Sequence, residues 1–338
     1  MTNDLERARF QIYALQDGAV RAQALTFALR TGMFDRLEGG ALSLDALRFE
    51  LGLSKRVLPA LIAFLTAQGL LERDQTGRIA NSLAASTFLV RASERYIGGR
   101  GLLYSGFWEA IRCLPQALAT GMPWTAEGQH DMFEGFGADE QLWFAEGMFA
   151  NAVHGGRSLM DQVDFSQFAN LLDVGGSGGG YATALLHQQP NLRATIFDVD
   201  GVRALALERA EQNNVSDRLT FLAGSFFEDV LPRDHDVLLL SSILHDWGDD
   251  DARTILSNCF SAALPGALVV VTEPMLAEDF SGPDHPSVSG LAMAVLGGEN
   301  RTRSRVGALL AEAGFVDCWQ SELLLQNSVV TARKPTAV

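Results

Sequence analysis

Three stretches carry residues whose types and spacing suit chemistry. The first is Leu171-Leu172-Asp173-Val174-Gly175-Gly176-Ser177-Gly178-Gly179-Gly180, a glycine-rich turn between a strand-like run and a helical one. The second is Asp198, closing the next strand-like run, and the third is His245-Asp246-Trp247, just after a later one. Glycines let the backbone turn sharply and let a ligand approach the main chain. In open parallel sheets, ligands bind at the carboxyl edge where such turns fall.

The glycine-rich turn admits three readings. A dinucleotide fingerprint, G-x-G-x-x-G, counted from Gly176 meets Tyr181 at its last position and fails. The hydrolase pattern G-x-S-x-G is met literally by Gly175 to Gly179, with His245 or His285 available to complete a triad, but nothing else in the chain calls for an activated serine. S-adenosylmethionine (SAM) binding needs an acid at the end of the first strand, a glycine loop against the amino-acid moiety and a carboxylate for the two ribose hydroxyls. Asp173, the Gly175-Gly176 turn and Asp198 meet those needs, with Val199 beside the ribose-binding acid.

At the same sheet edge His245 suits proton removal, because an imidazole titrates near neutrality. Methylating a phenol or enol is an in-line displacement in which the acceptor must lose a proton. The other histidines, His130, His154, His187, His235 and His285, lack a metal-ligand spacing and read as surface or loop residues. Asp249-Asp250-Asp251 reads as a helix start, where carboxylates favour the dipole, and no metal site is expected.

The elements that must position these groups divide the chain into three. Residues 1–100 read as helices over Gln11 to Phe34, Ser43 to Leu51 and Lys55 to Gly69, then strands at Leu70–Arg73 and Gly77–Ala80, a winged-helix order. Its second helix runs VLPALIAFLTAQG, and only Lys55 and Arg56 at its start would approach a phosphate, so we expect packing against another subunit in place of base reading. Residues 101–165 read as a helical connector rich in aromatic and Met residues, including Trp124, Met132, Phe133, Phe136 and Phe144. From 166 to 338, strand-like runs NLLDVG, RATIFD, RLTFLAG, HDVLLLSSIL and ALVVVTEPM alternate with helices and specify an α/β fold with a parallel sheet; FVDCWQSELL and SVVTARK suit an antiparallel hairpin at its end.

Composition narrows the classes. With 26 basic and 41 acidic residues the net charge is −15, which argues against a generally basic nucleic-acid binder. Residues 1–100 are slightly basic, and the acid excess belongs to the rest. Cys113, Cys259 and Cys318 form no C-x-x-C, the N-terminus has no apolar signal core, and no run approaches a membrane span, so a cytoplasmic protein is expected.

The stretches LLDVGGSGGG, TIFDVDGV, LLLSSILHDWGDDDARTILSNC, VVVTEPML and LGGENRTRSRVGALLAEAGF, in this order over about residues 168–315, resemble the SAM-dependent O-methyltransferases. That family includes plant caffeic acid and flavonoid enzymes, animal hydroxyindole O-methyltransferase and bacterial natural-product enzymes. The resemblance implies a class I SAM-dependent methyltransferase fold, Rossmann-like with a mostly parallel seven-stranded sheet, joined to an N-terminal all-α/winged-helix dimerisation domain that helps close the partner's pocket. It implies that Gly175 and Asp198 bind SAM, and it places adenine contacts near Ser225, Phe226 and Ser241; Ser225 stands where the family commonly has an acid.

The resemblance also puts two glutamates beside His245. One matches Glu273; the other falls at Asn300, so the second carboxylate is missing. Candidates for the acceptor pocket are Phe107, Trp108, Trp143, Met148, Phe149 and Asn151 from the connector, with Trp247, Met293 and Leu296 from the later part. The expected activity is O-methylation of a small molecule with His245 as base. Three alternatives remain: S-methylation of a small thioether acid such as 4-methylthio-2-hydroxybutyrate, which needs no base and would suit a marine bacterium, C-methylation of an activated carbon, and a ligand-sensing winged-helix regulator.

Overall fold

The computed structural model describes residues 2–93, 95–124 and 138–336, except the side chains of residues 2, 3, 105, 138–144, 146 and 150. It divides into two compact units, Met1–Gly106 and Phe107–Val338.

The first unit contains α1 (Thr2–Gln16), α2 (Gly18–Arg30), α3 (Met33–Glu38), α4 (Leu44–Glu50), α5 (Leu58–Ala67), β1 (Leu71–Arg73), β2 (Ile79–Asn81), α6 (Leu83–Phe88) and α7 (Gly99–Gly106). The expected single helix over Gln11–Phe34 is three helices. It starts nine residues earlier, breaks at Asp17, and breaks again where Gly32 takes φ +67°, a left-handed stop that apolar periodicity does not reveal. Ser43 caps α4, its side chain accepting the Ala46 N–H. The helix expected from Lys55 begins at Leu58, with Pro59 in its first turn, and buries Leu58, Ile62 and Leu65. β1 and β2 pair antiparallel.

In the second unit α8 (Trp108–Arg112), α9 (Leu114–Thr120) and α10 (Ala138–Leu159) precede the sheet. Then follow β3 (Asn170–Val174), α11 (Gly180–Gln188), β4 (Arg193–Asp198), α12 (Arg203–Gln212), β5 (Leu219–Ala223), β6 (Val237–Ser241), α13 (Asp249–Ala262), β7 (Leu268–Glu273), α14 (Asp284–Leu296), α15 (Arg303–Glu312), β8 (Val316–Gln320) and β9 (Ser328–Arg333). The seven-stranded sheet has the order β5-β4-β3-β6-β7-β9-β8. Neighbours from β5 to β7 are parallel, and β9 runs antiparallel to both β7 and β8. This is the class I SAM methyltransferase fold that the sequence implied.

Strand alternation builds a core on each face. Leu171, Ile196, Leu239 and Val270 pack with Leu159, Leu185 and Ala206, whereas Leu172, Val174, Leu240 and Val271 pack with Ile255, Cys259, Val306 and Leu309. Both faces are covered, so the strands read as continuous apolar runs. Chain order reverses between β3 and β6, which makes the carboxyl ends of β3, β4 and β6 the topological switch point.

Candidate active site

The glycine-rich turn leaves β3 at the switch point. Gly175 and Gly179 sit at φ +71° and +76°, and Ser177 at +50°, so three positions in five residues use the left-handed region. A Cβ on Gly175 would collide with the Ile243 side chain, and one on Gly176 would lie 2.7 Å from the Asp173 carboxyl. The turn thus brings main chain directly onto Ile243 and Asp173.

Asp198 closes β4 beside it. Its carboxylate accepts the Ser177 and Val199 N–H groups, each at 2.7 Å. A carboxylate has about four acceptor positions, so two remain for a diol. Burial pushes the Asp198 carboxyl up, and those two N–H groups pull it back. Val199 is 48% exposed at the rim. Ser177 was weighed from the sequence only as a hydrolase nucleophile; its part in orienting this carboxylate is played by a backbone N–H, which no side-chain pattern shows.

Asp173 lies fully buried at the end of β3, and neither carboxylate oxygen has a hydrogen-bond partner. Burial, then the Asp198 charge, pushes its carboxyl up to about 7. Glycines without room for a side chain, a carboxylate with free acceptor positions and an orphaned buried acid fit a cofactor carrying a diol and a cationic amino-acid portion, as SAM does. Ser225 opens a turn in which Asp229 accepts its N–H at 2.8 Å. Phe226, Phe227 and Trp247 form an edge-to-face cluster, with Trp247 4.7 Å from the Phe227 centroid. Trp247 therefore packs on the expected adenine side. Ser241 is half-buried at the end of β6.

Beyond β6, Ser242 takes φ +55° and donates its N–H to the Thr272 carbonyl, turning the chain into a 3-10 turn, Leu244–Asp246. His245 on that turn is 8% exposed. Three elements meet on it. Glu273, at the end of β7, accepts the His245 backbone N–H at 3.2 Å, and its other oxygen is buried without a partner. From the segment after α14, Asn300 Oδ1 lies 3.2 Å from His245 Nδ1. Asp246 Oδ1 lies 3.4 Å from Nε2. Burial lowers the His245 pKa, Glu273 and Asn300 oppose that, and Arg301 adds to it. Burial also raises the Glu273 carboxyl and takes Asp246 up to about 8.

Arg301 escaped the sequence reading. Its side chain is wholly buried and donates to the Leu244 carbonyl at 2.8 Å, the Trp247 carbonyl at 2.9 Å and Asp249 Oδ1 at 2.8 Å. Those carbonyls flank His245, so one guanidinium grips both ends of the turn that carries it. Its partners lie more than 50 residues away in the chain, which is why no local pattern shows the role. Asp249 does begin α13, but it is held by Arg301 and Arg305. Gly298 is pressed against the His245 carbonyl, where a Cβ would collide.

Among the acceptor-pocket candidates, Phe107, Met293 and Leu296 are buried, while Trp108, Met148, Phe149 and Asn151 are half-buried. The Trp108 indole N–H is buried with no partner. Phe149 lies toward the glycine turn and under the Arg209 guanidinium, 5.2 Å from its ring centroid. The side chains of Trp143 and Phe144, together with Met132, Phe133, Phe136 and His130, lie outside the described residues. Of the other histidines, His154 and His187 are exposed, His285 is half-buried, and His235 is in a loop but buried.

Residues 117–316 match the O-methyltransferase domain family. The chain is 34% identical over 309 residues to 3-hydroxy-5-methyl-1-naphthoate 3-O-methyltransferase of Streptomyces sahachiroi, covering 89% of this chain and 87% of that protein. It is 30% identical over 321 residues to the tetracenomycin polyketide synthesis 8-O-methyl transferase of Streptomyces glaucescens, covering 93% of each. In structure it is similar to human N-acetylserotonin methyltransferase in complex with SAM, with a TM-score of 0.90 and 25% identity over 97% of this chain and 98% of that one.

Proposed function

The chain belongs to the SAM-dependent small-molecule O-methyltransferases, and we propose that it methylates an aromatic or enolic hydroxyl, with His245 taking the proton. The observation that carries this reading is the imidazole at the switch point, with Nδ1 engaged by Asn300 and Nε2 facing Asp246 at 3.4 Å, beyond ordinary hydrogen-bond length, and so open to the acceptor. The naphthoate and tetracenomycin relatives, whose names specify oxygen as the methylated atom, favour a hydroxyl over a thioether.

Bound SAM supplies a methyl group on a positively charged sulfur. Asp198 holds the two ribose hydroxyls, Gly175 and Gly176 give the amino-acid portion access to main chain, and Asp173 offers its orphaned oxygens to positive charge. Phe226 and Ser241 border the adenine, Ser225 caps that loop and Val199 covers the rim. Phe107, Trp108, Met293 and Leu296 wall the acceptor, with Met148, Phe149 and Asn151 contributed by α10. Holding two reactants in line accounts for about 7–11 kcal/mol of the barrier, whereas base help accounts for ~10²–10⁴-fold, so positioning dominates. His245 receives the hydroxyl proton at Nε2 while Glu273 fixes its backbone and Arg301 the turn around it.

In the same reading the domains are residues 1–100, 101–165 and 166–338, and the first is a winged helix through which two chains form a homodimer. Exposed apolar side chains on α1 and α2 support this: Phe10 is 61% exposed, Leu15 82% and Val20 73%. The protein is assigned to the bacterial cytoplasm, and its three cysteines are free thiols. S-adenosylhomocysteine release from a panel of phenols, with 4-methylthio-2-hydroxybutyrate as the competing thioether, tests the reaction class. Turnover of the thioether alone contradicts the hydroxyl reading.

A further inference from the structure

We propose that Asn300 sets the tautomer of the His245 base and, being a neutral amide, supports it less than a carboxylate would, so that this site serves hydroxyls already acidified by a conjugated electron-withdrawing group. This rests on the reading of His245 as the base and names the acceptor class within it.

The orientation of Asn300 follows from its second partner. Its Nδ2 donates to the Pro286 carbonyl at 2.8 Å, and a carbonyl only accepts, so the amide nitrogen must face Pro286. Oδ1 is thereby turned to His245 Nδ1, 3.2 Å away. An amide oxygen also only accepts, so Nδ1 must carry the hydrogen, and the lone pair of the neutral ring is on Nε2. The surroundings are built for this: Asn300 is 6% exposed, and a Cβ on Gly290, the α14 residue facing it, would lie 3.3 Å from the Asn300 Cβ. A carboxylate at position 300 would face the Pro286 carbonyl without a proton to share.

Charge around the ring is equally constrained. From β7, Glu273 spends one oxygen on the His245 backbone N–H, not on the ring. From the segment after α14 come neutral Asn300 and the buried cation Arg301; Glu299 gives its N–H to the His245 carbonyl and turns its carboxylate to Arg301 at 3.7 Å. Asp249, at the start of α13, is paired with Arg301. On the turn itself only Asp246 faces Nε2, at 3.4 Å, and burial takes its carboxyl up to about 8, so it brings little negative charge at neutral pH. Among the described residues no carboxylate is hydrogen-bonded at Nδ1 to stabilise an imidazolium; the Glu273 charge favours one, but burial opposes it more strongly.

The proton balance follows. The acceptor O–H gives its proton to Nε2, the oxygen electron pair forms the new bond to the methyl carbon, the carbon–sulfur pair returns to sulfur, and the imidazolium releases the proton to solvent. A weak base transfers less of the load, and the acceptor's own acidity must carry more. Phenols with a conjugated carbonyl or carboxyl group, quinoid hydroxyls and enolised carbonyls meet that need; aliphatic alcohols do not.

Nitrogen-15 NMR of histidine-labelled protein, with His245→Gln to assign the signal, reads the tautomer without turnover. The expected result is a protonated Nδ1 and an unprotonated Nε2, mixed tautomers in Asn300→Leu, and recovery of the single tautomer in Asn300→Asp. An Nε2-protonated ring in the parent protein overturns the proposal. Single-turnover rates on 2-naphthols graded in acidity by ring substitution give the second readout. Between the most and least acidic members the rate should fall at least roughly 100-fold, and Asn300→Glu, or Asn300→Asp if the former does not fold, should flatten the series and move the acid limb of kcat/KM to higher pH. Equal slopes in parent and variant, or methylation of the least acidic naphthol alone, overturn it. If His245→Ala leaves single-turnover rates intact, the base reading fails; if that variant is slow while the slopes are equal, only this inference fails.

Discussion

The guanidinium of Arg301 and the carboxylate of Asp249 stand 2.8 Å apart, and the same guanidinium holds the carbonyls on either side of His245. The turn that carries His245 is therefore positioned by a buried guanidinium, paired with a half-buried carboxylate, that never touches the imidazole. Arg301→Met should cost about 1–3 kcal/mol, because it leaves the buried Leu244 carbonyl without its donor, seen as a lowered urea midpoint. Arg301→Lys should recover part of the stability but not the turn geometry, because a single ammonium cannot span both carbonyls and Asp249. In Arg301→Met the acid limb of kcat/KM should also move upward, since a cation that lowers the His245 pKa is gone.

The same pair carries a pH dependence. Burial alone would raise the Asp249 carboxyl, but hydrogen bonds from Arg305 and Arg301 pull it below its ordinary value of 3.8. Its contribution to stability is complete above that value and is lost as pH falls through the lowered folded one. Asp249→Asn should flatten the acid arm of the stability profile measured by urea unfolding from pH 5 to 2.

Asp173 acts in the opposite direction. Its folded pKa of about 7 lies above the ordinary 3.8, so between those values the folded state holds the extra proton and stability falls as pH rises, at most about 1.4 kcal/mol per unit. Asp173→Asn should raise the melting temperature at pH 8, flatten the slope from pH 4 to 7, and weaken SAM binding. Unchanged slopes would remove Asp173 from the account.

Asp198→Ala should weaken SAM at least roughly 100-fold by calorimetry, because two charge-assisted hydrogen bonds are worth about 1.5–3 kcal/mol each. The Ser177 N–H that the carboxylate now accepts would be freed as well.

On the first unit, Phe10→Glu with Leu15→Glu should leave the fold intact, since both side chains are exposed, and shift sedimentation from dimer to monomer. A dimer that survives both changes removes α1 from the interface.

The sheet was legible because strands buried on both faces write themselves as apolar runs: RATIFD is β4 to the residue, and VLLLS and LVVVTE lie inside the expected runs. Asp198 was legible for the same reason, as a polar residue that closes such a run, whereas Glu273 was named only through the family resemblance. The N-terminal helices were less so, because Asp17 and Gly32 break a continuous apolar period without changing it. Arg301 and the Asn300–Pro286 contact were invisible, since each depends on segments joined only by folding. The contact of the Trp247 ring with Phe226 and Phe227 was equally invisible, since the strand β6 lies between them in the chain.

The central claim is that His245 takes the acceptor proton, and it is tested most directly by single-turnover methylation of a phenol across pH by the parent protein and His245→Ala. The account predicts a ~10²–10⁴-fold slower step in the variant with SAM affinity retained, together with an acid limb in the parent below the ordinary imidazole value of 6.5 that the variant lacks. A variant within a few-fold of the parent, showing the same pH profile, would contradict it.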